Sequence, residues 1–484
     1  MLRIPLKCQP IKRYMSEQVK FGTKGVSRVV TLTRPEKLNA LSTEMCSQMI
    51  PTLVEFSKSN VNNLVLIKSS SSPKAFCAGG DVATVALQNM AGNKDKSLEF
   101  FQQEYSLNML LATYNRPVVV LMDGITMGGG VGLATHVPFR IATENTKWCM
   151  PETDIGFFPD VGTTFSLPQL STVGGTKGQL ALYLCLTGDL LSGIDVYMAG
   201  YASHYVPSSN LEDLQARLGE LPVHNDSEDI WEITGKAVEE FSVAIPEDYQ
   251  FKYSNAQLNV VESCFDLDTA GNAKGVRTAL EKVINSTSAA PEEKEFARVT
   301  LGKLDTKSGV SLQVALEQFR RNKDSDIESS LKQDLVTASN MCEDVISEFS
   351  AGTKHKLVDK NKTPYAWSKS ALTVDELSRL VSPRASNPAS LLNNLTDAVT
   401  WKKYPFHSKF MLPTEQQLKD YITGNDNSGR SLAVSRHEVV KYFSQYNASS
   451  RGKSGVQYLC NQICRRKCTE GDAGELHWKE KALT

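Results

Sequence analysis

The sequence predicts an α/β fold, in which apolar strands lead into glycine-rich turns and helix starts. The run Asn63–Lys68 has the length and apolar content of a buried strand, and it leads into Ala75–Asp81, where two glycines adjoin. The run Pro117–Gly124 repeats this pattern and leads into Ile125–Ala134. Glycine allows positive φ and close approach to a ligand, and N–H groups at a helix N-terminus stabilise negative charge. The two turns therefore predict a pair of amide donors for one oxygen.

Two carboxylates follow the second glycine turn. Glu152 and Asp160 lie eight positions apart along the chain. Cleavage of a thioester or an ester needs donors where an oxyanion develops, together with a carboxylate that attacks or activates water. The pattern therefore predicts an acyl-transfer site, and Glu152 is its first candidate residue.

These motifs together resemble the crotonase (enoyl-CoA hydratase/isomerase) superfamily, whose members bind acyl-CoA thioesters, and within it most closely the 3-hydroxyisobutyryl-CoA hydrolases. The resemblance rests on Phe76–Asp81, Gly124–Leu133, Pro151–Glu152 and Phe158–Gly162. It implies a crotonase-like spiral of ββα units, followed by a helical region and a C-terminal extension. It also matches Arg34–Leu41 to the opening segment that contacts CoA in this superfamily.

The resemblance assigns roles to five residues. The N–H groups of Ala78 and Gly129 would form an oxyanion hole for the thioester carbonyl. Glu152 would attack that carbonyl as a nucleophile or act as a general base on water, and both alternatives stay open. Asp160 would hold the substrate 3-hydroxyl and assist proton transfer to the departing thiolate, and Glu104 would contact the substrate. The reaction so implied is hydrolysis of 3-hydroxyisobutyryl-CoA in valine breakdown, with acyl-CoA as substrate and with neither a cofactor nor a metal.

The glycine at position 132 argues against hydration. By resemblance, a hydratase carries its second catalytic Glu two residues after the glycine triplet, where this chain has Gly132. Addition of water to a double bond then lacks one acid/base group, whereas hydrolysis needs only the oxyanion hole, Glu152 and Asp160. An isomerase can work with one Glu at position 152, so isomerisation stays an alternative, and Asp160 weighs against it.

Four polar residues near the motifs are interpreted as structural. Asp81 precedes a helix start, where a carboxylate is most often a cap. Cys77 is interpreted as a small packing residue and His136 as a structural histidine. Asp154 is interpreted as a solvated neighbour of Glu152 or as hydrogen-bonded to a loop. The glycine clusters do not end in Gly-Lys-Ser/Thr, which disfavours a nucleotide phosphate loop.

The composition is that of an ordinary enzyme with a large core. The chain has 484 residues, of which 41% are hydrophobic, and a net charge of -1, so no global charge bias points to nucleic acid. The run Pro117–Ala134 is almost long enough to span a bilayer, but Asp123 and its glycines favour a buried strand and turn. Ten cysteines without a secretion signal predict reduced thiols.

The first 20 residues predict a mitochondrial transit peptide, and hence a location in the mitochondrial matrix. They contain five basic residues and one acid, Glu17. Pro5 and Pro10 weaken the amphipathic helix of such peptides, so a disordered basic start stays an alternative. The enzyme body is expected to begin near Phe21 with the strand Ser27–Leu32.

Three further regions are expected. Residues 21–205 would form the catalytic core and residues 206–382 a helical part that closes the CoA site. Within it, Ser311–Phe319 has helical spacing, and Met341–Lys360 would cover CoA. Lys354, Lys356 and Lys360 would meet CoA phosphates, or lie on a solvated helix face.

The C-terminal extension, residues 383–484, needs a separate explanation. It mixes basic and aromatic residues in Trp401–Phe410, Ser450–Lys453 and Arg465–Lys467, a pattern that serves RNA through phosphate attraction and base stacking. Fungal proteins that look like this hydrolase resemble a component of the small subunit of the mitochondrial ribosome, which implies that subunit and its RNA as partners. The alternative is that the extension packs on the body. Cys460, Cys464 and Cys468 have helical spacing, which predicts one stripe on a helix and only weakly a metal site.

Overall fold

The structure is a computed structural model, and it describes residues 17–479 apart from 60, 223–226, 385–389, 392–408, 427–428 and 431. Most of the predicted transit peptide and the segment 401–408 therefore lie outside the described residues. Strand β1 begins at Val19, so its first two residues fall within the predicted transit peptide, residues 1–20, and the Val19 side chain is fully buried.

The strands form two main sheets and one hairpin. The strands are β1 Val19–Lys24, β2 Ser27–Leu32, β3 Leu64–Ser69, β4 Ala75–Cys77, β5 Val118–Met122, β6 Ile125–Met127, β7 Phe139–Ala142, β8 Lys147–Cys149, β9 Leu191–Ser192, β10 His204–Tyr205, β11 Cys468–Glu470 and β12 Leu476–Trp478. One sheet has the order β1-β2-β3-β5-β7-β10, and it is parallel except for the antiparallel pair β1-β2. The second sheet has the order β4-β6-β8-β9, with β9 antiparallel to β8. The hairpin joins β11 and β12.

The α-helices are α1 Thr43–Lys58, α2 Val82–Met90, α3 Lys94–Ala112, α4 Gly129–Thr135, α5 Thr163–Leu170, α6 Gln179–Thr187, α7 Ile194–Met198, α8 Leu211–Gly219, α9 Ser227–Glu239, α10 Asn255–Cys264, α11 Leu267–Ala270, α12 Ala273–Asn285, α13 Pro291–Asp305, α14 Gly309–Asn322, α15 Ile327–Glu343, α16 Phe349–Thr353, α17 Val374–Val381, α18 Glu415–Thr423, α19 Arg436–Lys441 and α20 Val456–Lys467. Short 3₁₀ turns include Glu152–Ile155.

The predicted spiral of ββα units is confirmed. Each turn of the spiral places one strand in each sheet before a helical segment: β3 and β4 precede α2, β5 and β6 precede α4, and β7 and β8 precede the 3₁₀ turn at Glu152–Ile155. The helical segments α2, α4 and Glu152–Ile155 therefore begin at the carboxyl ends of the parallel strands β4, β6 and β8 of the second sheet. This arrangement brings both glycine turns and Glu152 to the same place.

The central strands are apolar throughout because both faces of the large sheet are covered. Val65 and Val120 face the main core, which contains helices α1 and α3. Leu66 and Val119 face the other side, where Leu214 of α8 is packed against them. The continuous apolar runs of the sequence are explained by this two-sided burial.

The extension packs on the enzyme body. The Arg466 guanidinium lies 2.7 Å from Glu262 of α10, and Lys467 lies 2.5 Å from the same carboxylate. The Lys453 ammonium lies 3.2 Å from Glu239 and 2.9 Å from the Nε2 atom of His204. These basic residues are therefore engaged by the body, in contrast to the sequence-based expectation that they contact RNA.

The three cysteines do not form the predicted single stripe on a helix, because α20 ends at Lys467 and Cys468 begins β11. Cys460, Cys464 and Cys468 are all buried in the core, because the apolar side of α20 faces the body and the basic last turn then meets Glu262 of α10. Within the described part of the chain, no group of three His, Cys, Asp or Glu side chains is arranged to hold a metal ion. In the same residues, no helix is long and apolar enough to cross a membrane.

Candidate active site

The two glycine turns lie against each other. A Cβ atom on Gly129, the first residue of α4, would lie 3.0 Å from the Gly80 nitrogen and would overlap Glu104 Oε1. A Cβ atom on Gly128 would lie 2.8 Å from Glu152 Oε1. The second glycine turn therefore contacts both the first turn and the carboxylates of Glu104 and Glu152. A side chain at position 129 would displace the Glu104 carboxylate.

The two predicted oxyanion donors differ in their present state. In the described residues, no acceptor lies on the Gly129 N–H, which is one of the free amides of the first turn of α4. The Ala78 N–H donates to the Leu38 carbonyl at a distance of 3.0 Å. Ala78 can serve an oxyanion only if this bond is shared or released, because a single N–H group cannot be directed well at two separate oxygens.

Glu104 and Glu152 reach the glycine turns from α3 and from the 3₁₀ turn Glu152–Ile155. The two side chains are buried, and Glu104 Oε1 and Glu152 Oε2 have no hydrogen-bond partner within the described structure. Burial, and then the charge of Asp160, raise the pKa of each carboxyl well above its usual value. Unpartnered oxygens on buried acids indicate a place for a polar ligand.

Asp160 is the third carboxyl of the cluster. The Tyr105 hydroxyl donates to Asp160 Oδ2 at a distance of 2.6 Å. Burial raises the pKa of Asp160 to about 7, although the bond from Tyr105 acts in the opposite direction. A carboxyl with this pKa can hold or release a proton at neutral pH. The structure thus brings Glu104, Glu152 and Asp160 together beside the glycine turns.

The sequence analysis missed Asp334. This residue lies on α15, it is fully buried, and its Oδ2 atom accepts a hydrogen bond of 2.7 Å from the Gly162 N–H. Burial raises its pKa well above the usual value. The available signal was a carboxylate on an apolar helix face, between the buried residues Leu331 and Leu335.

Position 132 is closed to a larger side chain. A Cβ atom on Gly132 would lie 2.8 Å from Val161 Cβ and 3.0 Å from Asn108 Nδ2. A carboxylate-bearing residue there would have to displace both neighbours, since real Cβ atoms do not approach so closely. The space used by a second acid in a hydratase-like site is thus filled by Val161 and Asn108.

The structural interpretations of Asp81, Cys77 and His136 agree with the geometry. Asp81 accepts from the Thr84 N–H at the start of α2 and lies 2.7 Å from the Arg34 guanidinium. Burial raises the pKa of Cys77 to about 12, which makes it a poor nucleophile. His136 is fully buried, and its Nε2 atom lies 2.6 Å from the Val161 carbonyl.

Asp154 is hydrogen-bonded to a loop, as one of its two interpretations expected, and it is ion-paired rather than solvated. Its carboxylate lies 2.6 Å from Lys307 and 2.9 Å from Lys356. Burial alone would raise the pKa of Asp154, and the two lysines reverse this effect, so that the pKa lies below its usual value. Asp154 therefore joins the loop after α13 and the segment after α16 to the active-site loop.

The predicted CoA-closing segment lies over the active-site loop. Phe349 of α16 packs on Phe157 with ring centroids 4.5 Å apart, and the Thr353 hydroxyl donates to the Ile155 carbonyl. Lys356 pairs with Asp154, and Lys354 pairs with Asp359 at 2.7 Å. Two of the three lysines proposed for CoA phosphates are thus already held by carboxylates, and Lys360 is exposed.

Comparison with known proteins agrees with this architecture. A Neurospora crassa protein named small ribosomal subunit protein mS47 is 35% identical over 98% of this chain and 90% of its own length. The Homo sapiens protein named 3-hydroxyisobutyryl-CoA hydrolase, mitochondrial, is 34% identical over 72% of this chain and 84% of its own length.

A solved structure supports the same fold. The crystal structure of a carnitinyl-CoA dehydratase from Mycobacterium thermoresistibile is 27% identical to this chain, with a TM-score of 0.62, and the match covers 77% of this chain and 98% of that one. The family model described as enoyl-CoA hydratase/isomerase matches residues 27–379. The spiral of ββα units, the paired glycine turns and these matches together place the chain in the enoyl-CoA hydratase/isomerase family.

Proposed function

We propose that this protein hydrolyses 3-hydroxyacyl-CoA thioesters, with 3-hydroxyisobutyryl-CoA as the first substrate to test. The observation that carries the proposal is the unpartnered Gly129 amide beside the buried carboxyls of Glu104, Glu152 and Asp160. Relatives named 3-hydroxyisobutyryl-CoA hydrolase, mitochondrial, support the choice of substrate and a mitochondrial location. A role in valine breakdown in the mitochondrial matrix is part of the proposal.

The residues divide the chemistry between them. The Gly129 N–H receives the thioester oxygen as negative charge develops on it, with Ala78 as the second donor once its bond to Leu38 is shared. Glu152 either attacks the carbonyl carbon, giving a mixed anhydride that water then cleaves, or takes a proton from the attacking water. In both routes the carbon–sulfur bond breaks and the CoA thiolate receives a proton.

Asp160 is suited to supply that proton. Because its pKa is raised to about 7, a substantial fraction of the molecules carries the proton at neutral pH. Tyr105 binds Oδ2 and so fixes the carboxyl plane. Asp160 also holds the substrate 3-hydroxyl, and Glu104, whose unpartnered oxygen lies against the glycine turns, contacts the substrate.

The test is release of free CoA from 3-hydroxyisobutyryl-CoA by the purified full chain. Hydrolysis in water labelled with ¹⁸O under single-turnover conditions tests the nucleophilic route, because label in the Glu152 carboxyl requires a mixed anhydride that water cleaves at the Glu152 carbonyl. Trapping with hydroxylamine detects the anhydride whichever of its two carbonyls water attacks, and a general base gives no such adduct on the enzyme. Migration of the double bond in a 3-enoyl-CoA without CoA release would instead favour the isomerase alternative. Turnover of neither substrate would reject the enzymatic proposal.

A second role, which does not exclude the first, is association with the small subunit of the mitochondrial ribosome. The mS47 protein of Neurospora crassa matches 98% of this chain, whereas the human hydrolase matches 72%. The long match favours a role in which the extension takes part. Co-sedimentation of the tagged chain with the small subunit in a sucrose gradient of a mitochondrial lysate tests this role, and the catalytically impaired Glu152→Gln variant should co-sediment equally.

A further inference from the structure

The Asp160 carboxyl is presented on a turn of unusual backbone geometry. Val161 has a φ of 51° and Gly162 a φ of 73°, so two successive residues are in the left-handed region. A β-branched residue such as valine avoids this region, because its Cβ atom crowds the backbone. Such a conformation persists only when the surrounding structure holds it in place.

The peptide unit between Val161 and Gly162 is held at both ends. Its carbonyl oxygen lies 2.6 Å from His136 Nε2, at the end of α4, and its N–H donates to Asp334 Oδ2 at 2.7 Å, on α15. The carbonyl and the N–H of one peptide point in opposite directions. Two buried side chains on opposite sides therefore fix the rotation of this peptide, and with it the direction in which Asp160 leaves the chain.

We propose that Asp334 is a positioning residue for Asp160, through which the helical region beyond the spiral controls the geometry of the active site. Asp334 donates to or accepts from neither Glu152 nor the glycine turns in the described structure, and its hydrogen bond to the Gly162 amide is its geometric link to Asp160. Its charge also acts on Asp160 and Tyr105, and the Asp334→Asn variant separates this electrostatic effect from the hydrogen bond because it removes the charge and keeps the acceptor. Removal of Asp334 frees the peptide to rotate, and Asp160 then leaves the Tyr105 hydroxyl. The kinetic consequence rests on the proposed hydrolysis, whereas the geometric consequence does not.

The kinetic test compares two substitutions of Asp334. In Asp334→Leu the side chain has a similar shape but cannot accept a hydrogen bond, so kcat for CoA release should fall about tenfold or more, with KM within about threefold, as expected for a misplaced catalytic group. In Asp334→Asn the amide oxygen still accepts from Gly162, and kcat should stay within about threefold of the wild type. Equal kcat values for Asp334→Leu and the wild type would overturn the proposal.

The matched control is Asn340→Leu on the same helix. Asn340 is also fully buried and donates to the carbonyls of Leu380 and Ser382, away from Asp160. This variant should lose stability while its kcat stays close to that of the wild type. An equal loss of kcat in Asn340→Leu and Asp334→Leu would reduce the role of Asp334 to general support of α15 and would overturn the proposal.

The geometric test is independent of turnover. Crystal structures of Asp334→Leu and Asp334→Asn would show whether the separation of Tyr105 Oη and Asp160 Oδ2, 2.6 Å here, is kept. We expect it to exceed hydrogen-bonding range in Asp334→Leu and to be preserved in Asp334→Asn. An unchanged turn in Asp334→Leu would reject the proposal. If the wild type hydrolysed no thioester, the proposed function would fail, and these structures would still decide the role of Asp334.

Discussion

The active site and the interface of the extension both bury acidic side chains, but the pKa values of these acids are shifted in opposite directions. Glu104, Glu152 and Asp160 form no ion pair within the described residues, and their pKa values are raised. Glu262, at the interface, lies between Arg466 and Lys467. Burial alone would raise the pKa of Glu262, but these two cations reverse the effect and lower it.

This difference separates a reactive cluster from a structural one. In a buried acid without a cation the charged form is destabilised because it is poorly solvated, so the pKa rises and the acid can still carry a proton near neutral pH. Such an acid is suited to proton transfer. A buried acid with two cations is satisfied and stays charged. Residue type and burial are alike in the two places, so the partners decide which cluster is suited to chemistry.

The largest expected effect comes from breaking the interface pair. The Arg466 guanidinium pairs with Glu262 and also with Glu415, the first residue of α18, and both carboxylates are buried. Arg466→Met would remove a cation from both, which should lower the free energy of unfolding by about 3–5 kcal/mol. Denaturant unfolding of the full chain measures this change. The control Arg465→Met alters an exposed residue of the same helix and should change stability by no more than about 0.5 kcal/mol.

The same variant tests the place of the extension. If Arg466→Met unfolded with the wild-type free energy, the charge network would be a minor part of the contact. Loss of stability together with loss of turnover would show that the extension supports the enzyme body. The same result would contradict the expectation that the extension can be deleted without loss of hydrolysis.

The next effect comes from Glu152→Gln. The amide cannot act as a nucleophile or as a base, so the rate of CoA release should fall by at least about a hundredfold. Binding of the thioester, measured by calorimetry, should persist because the oxyanion donors and Glu104 are unchanged. The control Glu99→Gln, exposed on α3, should be as active as the wild type. Near-normal turnover by folded Glu152→Gln would remove this residue from the mechanism.

A smaller effect concerns stability and pH. The folded-state pKa of Glu104 lies well above its unfolded value of about 4.3, so folding favours the protonated form. The contribution of Glu104 to stability therefore falls as pH rises above about 4, by up to about 1.4 kcal/mol per pH unit until the folded pKa is reached. Glu104→Gln cannot ionise, so its stability relative to the wild type should increase from pH 5 to pH 8.

Unfolding measurements at the two pH values test this sign. Glu99→Gln again provides the exposed control, and its stability relative to the wild type should be the same at both pH values. A constant difference between Glu104→Gln and the wild type would mean that Glu104 ionises normally in the folded protein.

The smallest effect concerns Tyr105→Phe. The Tyr105 hydroxyl lowers the pKa of Asp160, which burial raises to about 7, so loss of the bond should raise it further. The limb of the rate–pH profile that reports Asp160 should move to higher pH by about one unit, the equivalent of a net hydrogen bond of about 1.4 kcal/mol. An unchanged profile would show that another group is responsible for that limb.

The sequence predicts the fold well because the relevant signals are local. Apolar runs such as Pro117–Gly124, followed by glycine turns, specify strand, turn and helix without distant information. The carboxylates Glu152 and Asp160 also stand close to these turns in the chain. Their roles as catalytic groups remain predictions, as do Glu104 and the Ala78–Gly129 oxyanion hole.

Contacts between distant segments could not be predicted in this way. Asp334 accepts a hydrogen bond from the Gly162 N–H, 172 positions away in the sequence. The sequence places Asp334 on the apolar face of a helix but does not show which residue its carboxylate contacts. The basic residues Arg466 and Lys467 suggest RNA contact when read alone, and only the folded chain shows that Glu262 engages them. A run of basic residues in the sequence indicates which side chains could bind RNA, and tertiary packing decides which of them are already paired within the protein.

The contact between Glu262 and Arg466 also has a consequence for the order of folding, since the two residues are separated by 204 positions. At synthesis rates of about 5–20 residues per second, Arg466 is made roughly 10–40 seconds after Glu262, so the pair can form only when nearly the whole chain is available. Until then the face of α10 that receives the extension is uncovered, and the negative charge of Glu262 favours contact of this face with water over contact with other apolar surfaces. Helix α20 then covers that face.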